Sequence, residues 1–196
     1  MSGRAQELRK LVVSFALSFA IFAFAFGDWR FGLGFVVLIL IHEFGHFAEA
    51  RRQGVHVTLP AFIPFLGAYV LIRNDGIAPW RNALISLAGP LAGGAAAAAV
   101  WAFGSARGTP WLVELASWGF FLNLANLAPI GFLDGGGAFR GIRDAWRRPA
   151  IRYENGVPVE ASAPERSRAV QVGVAYALIA GALLACWLVT RHSGAF

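Results

Sequence analysis

The chain has 196 residues, about the size of one domain; 57% of them are hydrophobic and 14% charged, with a mean hydropathy of +0.58. An average soluble domain is roughly a quarter charged, so this composition excludes disorder and argues against an ordinary soluble enzyme. The 17 basic residues outnumber the 11 acidic ones, an excess that would suggest nucleic-acid binding in a soluble protein but reads here as a membrane-orientation signal. No nucleic-acid partner is expected. Cys186 is the one cysteine, which rules out an intrachain disulfide and cysteine-based metal clusters.

Apolar segments near the 20 or so residues that span a bilayer recur along the chain. The fold class they predict is an all-α polytopic membrane protein with five transmembrane helices, forming a single membrane-embedded domain over 1–196. The first expected helix runs from Leu11 to Gly27 and reads as a retained helix, since a small-residue cleavage site is lacking. The second runs from Phe31 to Ala50. It is followed by Val55 to Arg73, where Val55-His-Val-Thr-Leu alternates like a strand, Pro60 and Pro64 interrupt any helix, Gly67 onward reads as a second strand and Asn74-Asp75-Gly76 as a turn. Exposed backbone is not tolerated in lipid, so this small β-like segment is expected at the cytoplasmic interface or buried against helices.

The third and fourth helices are expected from Asn82 to Gly104 and from Trp111 to Ala128, and the last from Ala169 to Thr190; the polar stretch Pro149 to Ser167 reads as a flexible cytoplasmic loop. With the N-terminus cytoplasmic, 14 of the 17 basic residues fall inside and only Arg30, Arg107 and Arg191 fall outside. The expected location is an integral protein of the inner (plasma) membrane.

Ionisable side chains within a membrane helix are costly and mark function. The second helix carries His42-Glu43-Phe44-Gly45-His46, an H-E-x-x-H pattern. Its four-residue spacing puts both imidazoles on one face, able to share a zinc ion, while Glu43 reaches toward a water beside the metal. A catalytic zinc site usually has a third protein ligand and one open position. The candidates are Asp134, Glu49, Glu114 and His56. In the expected topology the second and fourth helices both reach the cytoplasm at their C-terminal ends, so Asp134, which follows the fourth, can meet His42 and His46. Glu49 reads more simply as a partner of Arg52 or Arg73, and His56 and His192 as surface residues.

These elements resemble the site-2 protease family of intramembrane zinc metalloproteases over Phe31 to Gly136. The resemblance is carried by His42-Glu43-Phe44-Gly45-His46, by Gly89-Pro90 in the next helix, and by Asn126 to Gly135 with its Asn-x-x-Pro and Leu-Asp-Gly elements. It implies one Zn2+ per chain on His42, His46 and Asp134, Glu43 as the catalytic glutamate and Asn126 as a polar group facing the reacting peptide. The segment containing Gly67, Ala68, Tyr69 and Val70 would help present substrate. One departure is Gly93, where many relatives have Asn; Gly89 and Gly93 make a G-x-x-x-G spacing that suits close helix packing. Asn123 is a weaker candidate for a second amide donor, its simpler reading being a hydrogen bond between helices.

The function implied is endoproteolysis of transmembrane segments of other membrane proteins near the cytoplasmic side, by zinc-activated water with Glu43 as general base. The rival readings are a membrane metal transporter, which would need a relay of ionisable groups through the membrane depth, and a non-catalytic helix-binding scaffold, for which Glu43 would be superfluous.

Overall fold

A computed structural model of the protein describes residues 3–59, 61–63, 67–69, 77–147, 150–154, 157–162 and 165–192. Among these, six helices occur in chain order: α1 (Gly3–Phe26), α2 (Trp29–Arg52), α3 (Pro79–Arg107), α4 (Pro110–Asn126), α5 (Asp134–Arg147) and α6 (Arg166–His192). Two short antiparallel hairpins accompany them, β1 (Ala61–Ile63) with β2 (Gly67–Tyr69) and β3 (Ala150–Glu154) with β4 (Val157–Ser162).

Local chemistry sets the helix ends. Asp28 caps α2, its carboxylate accepting the Arg30 backbone N–H at 2.8 Å. Proline opens α3 and α4, where the missing N–H would have no partner in any case. Gly108 closes α3 in the left-handed conformation at φ 59°, leaving only Thr109 before α4 begins. The chain therefore reverses tightly between α3 and α4, as it does between α1 and α2.

Helix α3 is the hub and packs against α2, α4, α5 and α6. Its buried residues are mostly small, Ala83, Gly89, Gly93, Gly94 and Ala97 among them. In a bilayer, where lipid is as apolar as leucine, close approach over small residues and interhelical hydrogen bonds hold helices together better than bulk hydrophobicity does. Large residues fill the gaps: Phe120 joins Leu87 and Ala97 in one cluster, and Val36 and Leu38 join Leu115 in another. Helix α1 docks on α2 through rings, with Phe26 edge-on to Phe31 at 4.8 Å and to Phe35 at 5.4 Å.

Among the described residues four helices are long and apolar enough to cross a membrane: Leu8–Phe26, Trp29–Arg52, Pro79–Arg107 and Arg166–Arg191. The five expected crossings are thus four by this measure. Helix α4 forms where the fourth was expected, but its 17 residues extend about 25 Å at 1.5 Å per residue, short of a hydrocarbon core of about 30 Å.

Three other expectations are corrected. The strand expected from Val55 lies further along, at Ala61–Ile63, where Ala61 pairs with Tyr69 and Ile63 with Gly67; the turn expected at Asn74-Asp75-Gly76 lies outside the described residues. The stretch expected as a flexible loop from Pro149 pairs as the β3–β4 hairpin, with an irregularity between Arg152 and Tyr153. Its two strands flank Asn155-Gly156, the strongest short hairpin signal in a sequence. Finally, a helix not among those expected, α5, follows the fourth, and Asp134 is its first residue.

Candidate metal centre

Helix α2 turns His42, Glu43 and His46 into the interior, with 4%, 7% and 7% of their surfaces exposed. The Nε2 atoms of the two histidines lie 3.1 Å apart. Asp134 closes the group from α5, its Oδ2 standing 3.1 Å from His42 Nε2 and its Oδ1 3.2 Å from His46 Nε2. Ligands about 2.0 to 2.1 Å from a zinc ion at tetrahedral angles lie about 3.3 Å apart, so the spacing suits one such ion. His42, His46 and Asp134 are the group of three His, Cys, Asp or Glu side chains that this structure brings within reach of a single metal among the described residues.

The hydrogen bonds behind the donors bear on the fit. His42 Nδ1 is 2.7 Å from Asn123 Oδ1, and His46 Nδ1 is 2.8 Å from the Ile85 carbonyl oxygen. Asn123 Nδ2 in turn donates to the Gly119 carbonyl oxygen at 2.7 Å, which leaves Oδ1 as the atom facing His42. Each neutral imidazole therefore carries its proton on Nδ1 and points an Nε2 lone pair inward. With both rings neutral, two lone pairs and a carboxylate converge with no proton between the rings. That is an electrostatic arrangement that a divalent cation satisfies.

Glycines clear the room. A Cβ on Gly89 would overlap the His46 ring, and one on Gly93 would overlap the Asn123 carboxamide. The G-x-x-x-G pair thus admits side chains of the site. Close approach of the α2 and α3 backbones falls to Gly45, the fourth residue of the histidine motif, where a Cβ would overlap the Ala88 carbonyl oxygen. Gly135 and Gly136 act similarly for Asp134: a Cβ on either would strike the carbonyl of Leu127 or Ile130, so only glycine lets α5 start tucked beneath the end of α4. The Tyr176 hydroxyl of α6 donates to the same Leu127 carbonyl oxygen.

The other candidate ligands lie elsewhere. Glu49 is held by Arg52, whose Nε and Nη2 each donate to it at 2.7 Å, and by Gln53 at 2.6 Å. Glu114 sits near the start of α4, three turns from the end that reaches the site. His56 is exposed beyond α2. Asn126 is the last residue of α4, three positions beyond Asn123, and is half-buried. Gly67, Ala68 and Tyr69 form β2, which lies against α2, while Val70 is outside the described residues. A cavity of about 310 Å3 opens between the start of α3 and α5, lined by Asn82, Ile85, Ser86, Arg140 and Asp144 among others. It therefore reaches the residue whose carbonyl holds His46.

Peptidase family M50 matches this chain over residues 30–112. Over that stretch the chain is similar to the M50 peptidases. The M50 stretch includes both histidines, Glu43 and Gly89-Pro90, and bears out the resemblance to the site-2 proteases. It stops short of Asp134, so the third donor rests on geometry alone. Over 76 residues the chain is also 40% identical to a probable zinc metalloprotease, EGY1, of the Arabidopsis thaliana chloroplast. That alignment covers 36% of this chain and 14% of the relative, so the chain corresponds to a small part of that protein. Zinc is the metal of this family, and the donor set of two imidazoles and one carboxylate is one that catalytic zinc commonly uses.

Proposed function

We propose that the protein is an intramembrane zinc endopeptidase that cuts transmembrane segments of other membrane proteins near the cytoplasmic side. The observation that carries this reading is the convergence of His42, His46 and Asp134 beside Glu43 within a helical membrane body. In this reading α4 is a fifth, short crossing, the N-terminus is cytoplasmic, and the site lies toward the end of the helices where arginine is concentrated. The β1–β2 hairpin lies at that same interface.

When bound, zinc supplies a Lewis acid that makes water a competent nucleophile near neutral pH. Glu43 takes the proton of the attacking water and passes it to the leaving nitrogen. Asn126 donates its amide to the carbonyl oxygen that gains charge, a contact whose loss costs about 3 kcal/mol in comparable sites. The cavity beside Ile85 and Ser86 is the water path. A helical substrate must unwind to expose a peptide bond. The edge of β2 not paired with β1, at Gly67 to Tyr69, receives the unwound stretch by backbone pairing, which gives affinity with little sequence preference.

The test compares wild type with Glu43→Gln and Asp134→Ala, measuring zinc content and cleavage of a reporter transmembrane helix together. Glu43→Gln keeps zinc and loses cleavage, while Asp134→Ala loses both. Cleavage by Glu43→Gln overturns the general-base assignment, and zinc transport into vesicles without cleavage by wild type overturns the protease reading.

A further inference from the structure

Asn123 is fully buried in the middle of the helix bundle, and both halves of its carboxamide are engaged. A buried amide is costly unless satisfied, and here satisfaction fixes its orientation: with Nδ2 tied to the Gly119 carbonyl, Oδ1 alone faces His42 Nδ1. The side chain fits only because position 93 of α3 has no side chain, since a Cβ on Gly93 would fall within the Asn123 carboxamide. Two residues on different helices, Gly93 and Asn123, thus combine to put one acceptor oxygen behind one imidazole.

We propose that Asn123 is the positioning residue for His42, holding the ring in the tautomer and rotation that present Nε2 to the metal. This rests on the reading that His42, His46 and Asp134 bind zinc. His46 has a backbone carbonyl for the same purpose, that of Ile85, which no substitution removes. His42 depends on a side chain. A partner behind a ligating histidine commonly contributes about 10- to 100-fold in metal affinity, and Asn123 is that partner here.

The experiment measures zinc affinity by competition with a chelator, the visible spectrum of the cobalt-loaded protein and the melting temperature of the full chain in detergent. Asn123→Leu removes the acceptor while keeping the number and branching of the side-chain heavy atoms, and lowers zinc affinity about 10- to 100-fold, with an altered cobalt spectrum. Asn123→Asp keeps an oxygen facing Nδ1 and restores affinity and spectrum to near the wild-type values. The double substitution Gly93→Asn with Asn123→Ala sends an amide into the same space from α3 and recovers most of the lost affinity.

Wild-type affinity and spectrum in Asn123→Leu, with only the melting temperature lowered, would show an interhelical strut and overturn the proposal. Equal loss in Asn123→Asp and Asn123→Leu would overturn it as well. Failure of wild type itself to bind one zinc overturns the metal-site reading and this inference with it, whereas tight wild-type binding combined with an indifferent Asn123→Leu overturns this inference alone.

Discussion

Gly89 of α3 faces the His46 imidazole so closely that a single added methyl would occupy the space of the ring. Gly89→Ala therefore sets two effects against each other. Alanine is favoured over glycine within a helix by about 1 kcal/mol, but here its methyl displaces a metal donor that its neighbours hold in place. The site effect dominates: zinc affinity in a chelator competition falls at least 10-fold, while the helix content measured by circular dichroism is unchanged.

Glu43 is buried beside the donors without being one of them. Glu43→Asp keeps the carboxylate but withdraws it by one methylene, more than a proton transfer at hydrogen-bond distance tolerates. Cleavage of a reporter helix in a single-turnover assay falls about 100-fold or more, with one zinc retained per chain by elemental analysis.

Tyr176 joins the last helix to the approach to Asp134, because its hydroxyl donates to the carbonyl of Leu127, just beyond the end of α4. Tyr176→Phe leaves that carbonyl without this donor and costs about 1 kcal/mol, or roughly 2–4 °C in melting temperature for a chain of this size. Zinc affinity falls along with it, since the same segment carries Asp134.

Asp28 contributes a pH-dependent cap. Its hydrogen bonds from Arg30 hold its carboxyl below the ordinary carboxylate range. A group whose pKa is depressed by folding stabilises the fold above its unfolded pKa and loses that contribution as pH falls through the folded value. Asp28→Asn keeps a good cap but not the charge. The melting-temperature difference between wild type and this variant is thus constant near neutrality, begins to shrink as pH falls toward the unfolded carboxylate value of about 4, and vanishes only below the lower folded value.

Much of the centre was legible because its chemistry is local. Helical spacing aligns His42 with His46, and the apolar flanks of α2 make their charge conspicuous. Asp134 was reachable by topology, since α2 and α4 finish at the same end. Helix α5 was not legible: it opens with Gly135-Gly136-Gly137, and its buried face consists of Gly136, Ala138, Gly141 and Ala145 among others. A hydropathy pattern does not register a face made of small residues, although their three- and four-residue spacing was there to read. The β3–β4 hairpin was missed because polarity and proline outweighed the Asn155-Gly156 signal. Asn123 was read as making a hydrogen bond between helices, as it does with His42 of α2; the identity of that partner, 81 positions away, was not legible because no local spacing points to it. Gly45 was passed over as an unspecified position of the motif.

Donors from α2 and from the start of α5 make any ion held between them a cross-link as well as a reagent. From position 46 to position 134, such a staple would close a loop of roughly 90 residues, and loop closure restricts the unfolded chain more the longer the loop. Stripping the metal should accordingly loosen the protein at the seam between α2 and the α4–α5 corner, and hydrogen exchange should quicken there before it does anywhere in α1.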